Sequence, residues 1–377
     1  MAEERAKENE FEELIKITAP GTLLREGLEN IIKAKTGGLI VVGDTPEVMS
    51  VVDGGFLINK DYTPANIYEL AKMDGAIVLS KDLKKIIYAN AQLIPDHKIS
   101  TVETGTRHRT AERVAKQTGE LVVCISKRRN VITLFKGTSR YFLRDTATIL
   151  SRANQALQTL EKYTTALDIA LNSLSVSEFH DVVSLESVVT VVQRSEMVMR
   201  IVDEIRRYVY ELGNEGRLVN MQLEELAGDS EKEALLIIED YILFSEEKTS
   251  EEVLKSLRAL SYEELMDANL ICKLLGYQGG VSALDLNLSP KGLRILNKLP
   301  KLPMNIIRNL IDRFVNLQGV IRASIDELDD VEGIGEVRAK SIKEGLRRTF
   351  DVLSIGGRGM RWSEIMDIPE YFQMRRH

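Results

Sequence analysis

Two short groups of residues in this 377-residue chain have the types and spacing to act on a phosphorylated ligand. The first is Glu103-Thr-Gly-Thr-Arg-His-Arg-Thr-Ala-Glu112, which opens an amphipathic helix with Ala111, Val114 and Ala115 on its apolar face. Helix starts carry partial positive charge and favour acidic side chains, yet Arg107 and Arg109 stand in the first turn with His108 between them. Thr106 is the expected N-cap. Free backbone N–H groups, two guanidiniums and an imidazole at one helix end suit a polyanionic phosphate chain. The second group is Asp74-Gly75-Ala76, just before the apolar run Ala76-Ile-Val-Leu-Ser80. An Asp-Gly pair alone is most simply a turn, but a carboxylate at a strand edge also serves to hold a divalent cation or orient a hydroxyl. Together the groups supply phosphate neutralisation, a metal ligand and an oriented nucleophile, the parts of nucleotidyl transfer. No GxxxxGK[ST] loop, HExxH motif or Asp-x-Asp pair is present.

A third motif lies near the C-terminus, in Ser324-Ile-Asp-Glu-Leu-Asp-Asp-Val-Glu-Gly-Ile-Gly-Glu-Val-Arg-Ala-Lys-Ser-Ile-Lys-Glu-Gly345. A short helix with Leu328 leads into Val331–Gly335 and then a second helix with Ala339 and Ile342 inward. The pattern resembles the helix-hairpin-helix of DNA-repair proteins. Gly333 and Gly335 let the turn backbone approach a phosphate without reading bases, and Arg338 and Lys340 add counterion-releasing contacts. The bland alternative is a hairpin that docks protein. Leu296-Asn-Lys-Leu-Pro-Lys-Leu-Pro-Met304 with Ile306–Phe314 looks like a degenerate first copy, expected to be scaffold because prolines replace the glycines. Residues 290–350 hold twelve Lys or Arg against eight Asp or Glu, in a chain of net charge −7. A basic module on an acidic body points to a local polyanion site.

The elements that must position these groups follow from hydrophobic periodicity. Leu23–Lys33 is amphipathic, and Pro64–Met73 reads as a helix with Pro in its first turn. Leu39–Gly43, Ala76–Ser80, Leu121–Ile125 and Val131–Phe135 are short apolar runs, and Lys84–Ala89 is the hairpin partner of Ala76–Ser80. Strands interleaved with helices predict an α/β domain with a mixed central sheet over residues 1–145. From 146 to 288 the β signal disappears, and Ala147–Ser173, Val188–Leu212, Arg217–Leu226, Glu231–Phe244 and Glu251–Leu260 read as a helical spine, with Gly213 and Gly216 as a stop. Its Met and Leu stripes are core packing. Residues 289–350 form the helix-hairpin-helix domain, and 351–377 a tail without a readable role. The fold class is therefore multidomain, α/β followed by all-α.

No run of about 18 apolar residues occurs, so no membrane span or membrane partner is expected. The charged N-terminus lacks the apolar stretch of a secretion signal. Cys124 and Cys272 are far apart, with no CxxC, and read as reduced cytoplasmic thiols.

Asp74-Gly-Ala76, followed about thirty positions later by Gly105-Thr-Arg-His-Arg-Thr-Ala111, is similar to the paired motifs of diadenylate cyclase domains. Val52-Asp-Gly-Gly-Phe56, Tyr68–Ala76, Arg109–Gly119 and Arg128-Arg-Asn-Val-Ile132 extend the match. With the spine and the hairpin end, the chain resembles the DNA-integrity scanning (DisA-type) family over about residues 12–350. The two terminal extensions fall outside the resemblance. It implies synthesis of cyclic di-AMP from two ATP with release of two pyrophosphates, across facing domains that assemble as octamers. It further implies that Asp74 binds Mg2+ or Mn2+ and orients or deprotonates the 3′-hydroxyl, while Arg107, His108 and Arg109 hold the triphosphate. Gly75 and Ala76 would lie against the nucleotide, and Thr106, Thr110, Ser126, Arg128 and Leu93 are the remaining implied contacts. Branched or junction DNA is the implied partner of Gly333, Gly335, Arg338 and Lys340. A non-enzymatic DNA-junction scaffold and a nucleotidyltransferase acting on DNA ends are the alternatives.

Overall fold

The computed structural model describes residues 14–243, 249–278, 281–354 and 362. The charged N-terminal segment, Phe244 and most of the 351–377 tail lie outside the described residues. The chain divides into two compact units, Met1–Gln155 with Ile205–Met221, and Ala156–Glu204 with Gln222–His377.

The first unit is built on a mixed sheet of strands β1 (Gly38–Val42), β2 (Val52–Asp53), β3 (Phe56–Asp61), β4 (Ala76–Leu79), β5 (Lys85–Leu93), β6 (Leu121–Ser126), β7 (Val131–Lys136) and β8 (Ser139–Leu143). Its order is β2-β5-β4-β1-β6-β7-β8, with β3 also on β5. β1 and β4 run parallel, and the other pairs are antiparallel. Every residue of β1 is buried because both faces of the sheet are covered. Ile40 and Val42 pack with Leu24, Leu28 and Ile31 of helix Leu23–Lys33 and Ile67 of helix Pro64–Leu70. Leu39 and Val41 pack on the other face with Ala111, Val114 and Ala115 of helix Thr106–Thr118. Burying each such Leu or Ile contributes roughly 1.5–3 kcal/mol. The Thr22 and Thr63 side chains cap the first two of these helices, and Pro64 sits at the start of its helix as expected. That helix ends at Leu70, three residues earlier than its apolar pattern suggested. β2 is too short to alternate, and β8 alternates only between half-buried and exposed positions; β3 is largely exposed, so its sequence lacks the apolar signature of a covered strand.

The long helices Thr146–Phe179 and Leu185–Leu212 each contribute residues to both units. Gly213 (φ +52°) ends the second, but a 3₁₀ turn, Gly213–Gly216, leads directly into helix Arg217–Ala227. The glycines break the α-helix without ending the helical path. In the second unit, contrary to the all-helical expectation, β9 (Val183–Ser184) and β10 (Asn287–Leu288) form a small antiparallel ladder. Two-residue strands are too short to leave a period-2 signal.

One hydrophobic cluster in this unit joins Phe179 and Leu236 to Leu293, Leu310, Leu328, Ile342 and Leu346. Trp362 packs there too, its ring centroid 6.4 Å from Phe179 and 5.6 Å from Phe350. A buried charge network lies beside it. The Arg294 guanidinium, fully buried, donates to the equally buried Glu178 carboxylate, to Ser175 Oγ (2.8 Å) and to Glu233 (3.3 Å). Asp240 accepts the backbone N–H groups of Gly292, Leu293 and Arg294 at 2.8–3.0 Å, closing the start of helix Leu293–Asn297.

The C-terminal segment is a tandem of two hairpins in the same register. Helices Leu293–Asn297 and Met304–Phe314 are repeated 32 positions later by Ile325–Asp329 and Glu336–Ser354. Leu299 and Leu302 in the first turn match Val331 and Ile334 in the second, all four buried. The matching left-handed positions are Lys301 (φ +60°) and Gly333 (φ +83°).

Candidate nucleotide site and nucleic-acid module

Sheet register brings the separate sequence motifs to one edge. Ile40 is level with Ile77, Gly38 with Ile125, Ser126 with Val131, and Ala76 with Ala91. The starts of β1, β4 and β7 and the ends of β5 and β6 therefore share that edge. Asp74, the β6–β7 turn with Arg128 and the approach to Gly37 all lie there.

Asp74 is exposed, and its carboxylate has no hydrogen-bond partner among the described residues. The next peptide is held from β5. Gly75 N–H donates to Asn90 Oδ1 at 3.1 Å, where the β4–β5 register shifts and Asn90 adopts φ +53°. A Cβ on Gly75 would fall 2.3 Å from the Asn90 carbonyl carbon and 2.5 Å from its Cα. Glycine is thus required here by the neighbouring strand, a reason that motif spacing alone does not reveal. Ala76 (2% exposed) and Leu93 (8%) have their side chains in the core with Val51, Val78 and Val114.

The Arg-His-Arg helix starts one position earlier than expected. Gly105, extended at φ −81° and ψ 136°, is the N-cap, and Thr106 is the first helical residue. Glycine offers no side-chain oxygen, so no side chain caps the first-turn N–H groups. The Arg107 guanidinium occupies space beside Gly37, where a Cβ would lie 2.1 Å from Nη1. Gly37 was not anticipated as a site residue; it gives Arg107 its place at the sheet edge.

His108 is half-buried, with its ring edge-on to Phe135 at 6.4 Å between centroids. Burial pushes its pKa below the ordinary imidazole value; Glu103 opposes this, while Arg129, Arg140 and Arg107 reinforce it. Glu103 is buried and ion-paired to Arg140 Nη1 at 2.7 Å. Sequence reasoning missed Arg129, Arg140 and Glu103 as neighbours of His108. Arg129 adjoins Arg128, but Arg140 lies on β8, whose pairing leaves little sequence signal. The site is electropositive and favours the neutral form of its imidazole. Arg109, Thr106 and Arg128 are exposed and Thr110 is half-buried, while Ser126 Oγ accepts the Arg129 N–H at 3.2 Å and so shapes the β6–β7 turn.

No cluster of three or more His, Cys, Asp or Glu able to hold a metal occurs among the described residues. A lone Asp74 nevertheless fits Mg2+ or Mn2+, because ions of this kind commonly take one or two carboxylates, with substrate phosphates and water completing the shell.

In the second hairpin, Gly333 supplies the left-handed turn and a 19-residue helix begins at Glu336. Arg338 donates to Gly333 O and Lys340 pairs with Glu336, so both exposed cations are held on their own hairpin. An open groove of about 440 Å³ runs between the two turns, lined by Lys301 and Leu302 on one side and by Gly335, Val337 and Arg338 on the other.

Comparison with known proteins gives three family matches. Residues 25–140 match the DisA bacterial checkpoint controller nucleotide-binding family, 143–284 the DisA bacterial checkpoint controller linker region, and 316–345 the helix-hairpin-helix motif. The chain is 58% identical over 355 residues to a DNA integrity scanning protein DisA from Acetivibrio thermocellus, covering 94% of this chain and 98% of that one. The chain belongs to the DisA family. Similar proteins of the same name occur in Carboxydothermus hydrogenoformans (60% identity; 89% and 95% covered) and Clostridium botulinum strain Loch Maree (57%; 91% and 96%). Family membership accounts for a nucleotide-binding α/β domain, a helical centre and a hairpin module in one chain. No helix among the described residues is long and apolar enough to cross a membrane.

Proposed function

We propose that this protein is a diadenylate cyclase that condenses two ATP molecules into cyclic di-AMP and two pyrophosphates, and that its hairpin module binds DNA and adjusts that activity. The observation that carries the reading is the meeting of Asp74 and the Arg107–His108–Arg109 helix start at one sheet edge, within a domain of a nucleotide-binding family. Each 3′-oxygen attacks the α-phosphorus of the facing ATP, its proton leaves towards Asp74, and the bond to the β-phosphate oxygen breaks to release pyrophosphate. Two such displacements close the ring. Arg107 and Arg109 supply positive charge for the triphosphate and the departing pyrophosphate, with the uncapped N–H groups behind them. Neutral His108 donates a hydrogen bond without adding like charge to the arginines. A Mg2+ or Mn2+ ion held by Asp74 and the phosphates would neutralise charge on the reacting phosphate. Thr106, Thr110 and Arg128 are the proposed further contacts to the nucleotide.

A single domain presents one nucleotide and lacks its reaction partner, so the active form is an assembly of copies, expected to be an octamer. Gly333, Gly335, Arg338 and Lys340 would contact DNA phosphates at branched structures, with affinity that falls steeply as salt rises. ATP with Mg2+ or Mn2+ should give cyclic di-AMP, resolved by chromatography and mass. Asp74→Asn should abolish product and leave DNA binding intact. Equal product from that variant would refute the assignment.

A further inference from the structure

Asp74 has a carboxylate that no described residue holds, although attack on phosphorus demands that it be aimed. Among the described residues, the main chain next to it is what bears on its orientation. The peptide that follows Asp74 carries the Gly75 N–H, and that N–H is bound by the Asn90 side chain at 3.1 Å. Holding this peptide plane restrains the torsion on the carbonyl side of Asp74 and, with it, the direction in which the Asp74 Cα–Cβ bond leaves the main chain.

Three observations converge on Asn90. It adopts φ +53°, in the left-handed region that Asn tolerates better than most residues. It sits where β5 slips out of register with β4, between the Ala76–Ala91 and Val78–Tyr88 pairs. Such bulges re-aim local side chains and recur beside active sites. Finally, its backbone fills the space next to Gly75 so closely that no Cβ fits there. The side chain is exposed, so a packing role in the core does not account for it.

We infer that Asn90 is a positioning residue for the reaction, and that its amide oxygen locks the Asp74–Gly75 peptide so that the carboxylate meets the attacking hydroxyl. The inference rests on the cyclase reading above and deepens it. Asn90 acts through Asp74 and binds no phosphate. Its loss should therefore lower kcat while leaving nucleotide affinity in place.

The test compares Asn90→Gly, which keeps access to positive φ and removes the acceptor, with Asn90→Asp, which keeps both. The full-length protein is assayed for kcat, for ATP affinity and for hydrogen exchange at the Gly75 amide. Asn90→Gly should lose about a hundredfold in kcat, the scale of a misaimed reacting group. Its ATP affinity should stay within about threefold, and its Gly75 amide should exchange faster. Asn90→Asp should retain most of the turnover and the amide protection. Wild-type kcat in Asn90→Gly would overturn the inference, as would a loss that follows weakened ATP binding or unfolding, or an equal loss in Asn90→Asp. Wild-type protein that forms no product removes the cyclase reading itself, and with it this role; that result is read on the wild type alone.

Discussion

Replacing Arg294 with Met tests whether the buried charge network ties the hairpin segment to the helices before it. The Arg294 side chain is fully buried and donates to Glu178, also fully buried, as well as to Ser175 and Glu233. Met fills much of the same volume but leaves Glu178 as a buried carboxylate with Tyr241 OH still donating to it at 2.8 Å. Glu233 is partly exposed and keeps Lys298 at 2.9 Å, so the cost concentrates on Glu178. Removing one partner of a buried pair costs about 3–5 kcal/mol. For a unit of roughly two hundred residues, 1 kcal/mol moves Tm by about 2–4 °C. The expected fall is therefore about 6–20 °C. Trp362 is the chain's sole tryptophan and packs on Phe179 and Phe350, so its fluorescence during heating reports this unit. Removing both charges, as in Arg294→Met with Glu178→Met, should recover more than half of the loss, because the buried Glu178 carboxylate is no longer left without its partner. A single variant within about 2 °C of wild type would refute the reasoning, and so would a double variant as unstable as the single.

Three further outcomes are expected. Gly75→Ala should lower both stability, by about 1–3 kcal/mol, and product formation, because its Cβ meets the β5 backbone; unchanged denaturation and turnover would contradict the geometry. His108 titrates lower in the folded chain than in the unfolded one, so the unfolded state takes up the proton first as pH falls. Stability of the nucleotide-binding unit should drop below about pH 6.5 and level off once the folded imidazole is also protonated. His108→Gln should flatten that drop, and an identical slope in denaturation series from pH 7.5 to 5 would count against it. Lys301 occupies the turn position that Gly333 holds in the other hairpin and lines the groove shared with Arg338. Lys301→Glu should weaken branched-DNA binding in fluorescence anisotropy by tenfold or more at low salt while ATP affinity holds; unchanged DNA affinity would assign the first hairpin to scaffold alone.

Periodicity and motif spacing carried the broad plan of this protein. The apolar runs at 39–43, 76–80, 121–125 and 131–135 could be read as strands because a strand covered on both faces must be apolar throughout. Leu23–Lys33 could be read to the residue because its apolar stripe begins after a threonine cap. The two nucleotide motifs and the hairpin glycines were legible as local chemistry, and the second hairpin's likeness to 296–314 was visible as a weak repeat.

Tertiary structure alone decided how those pieces meet. That Gly75 faces the Asn90 backbone, that Arg107 lies beside Gly37, and that Arg129 and Arg140 bear on His108 depend on pairing between strands distant in sequence. Register is set by which faces are buried and leaves no local mark on exposed residues such as Arg140. The same holds for Phe179 and Leu236 joining the hairpin core and for Glu178 meeting Arg294, contacts across more than a hundred positions in the latter case. A sequence states which side chains are apolar, charged or free to turn, because those properties are local. Which of them become neighbours is fixed by burying all the apolar faces at once.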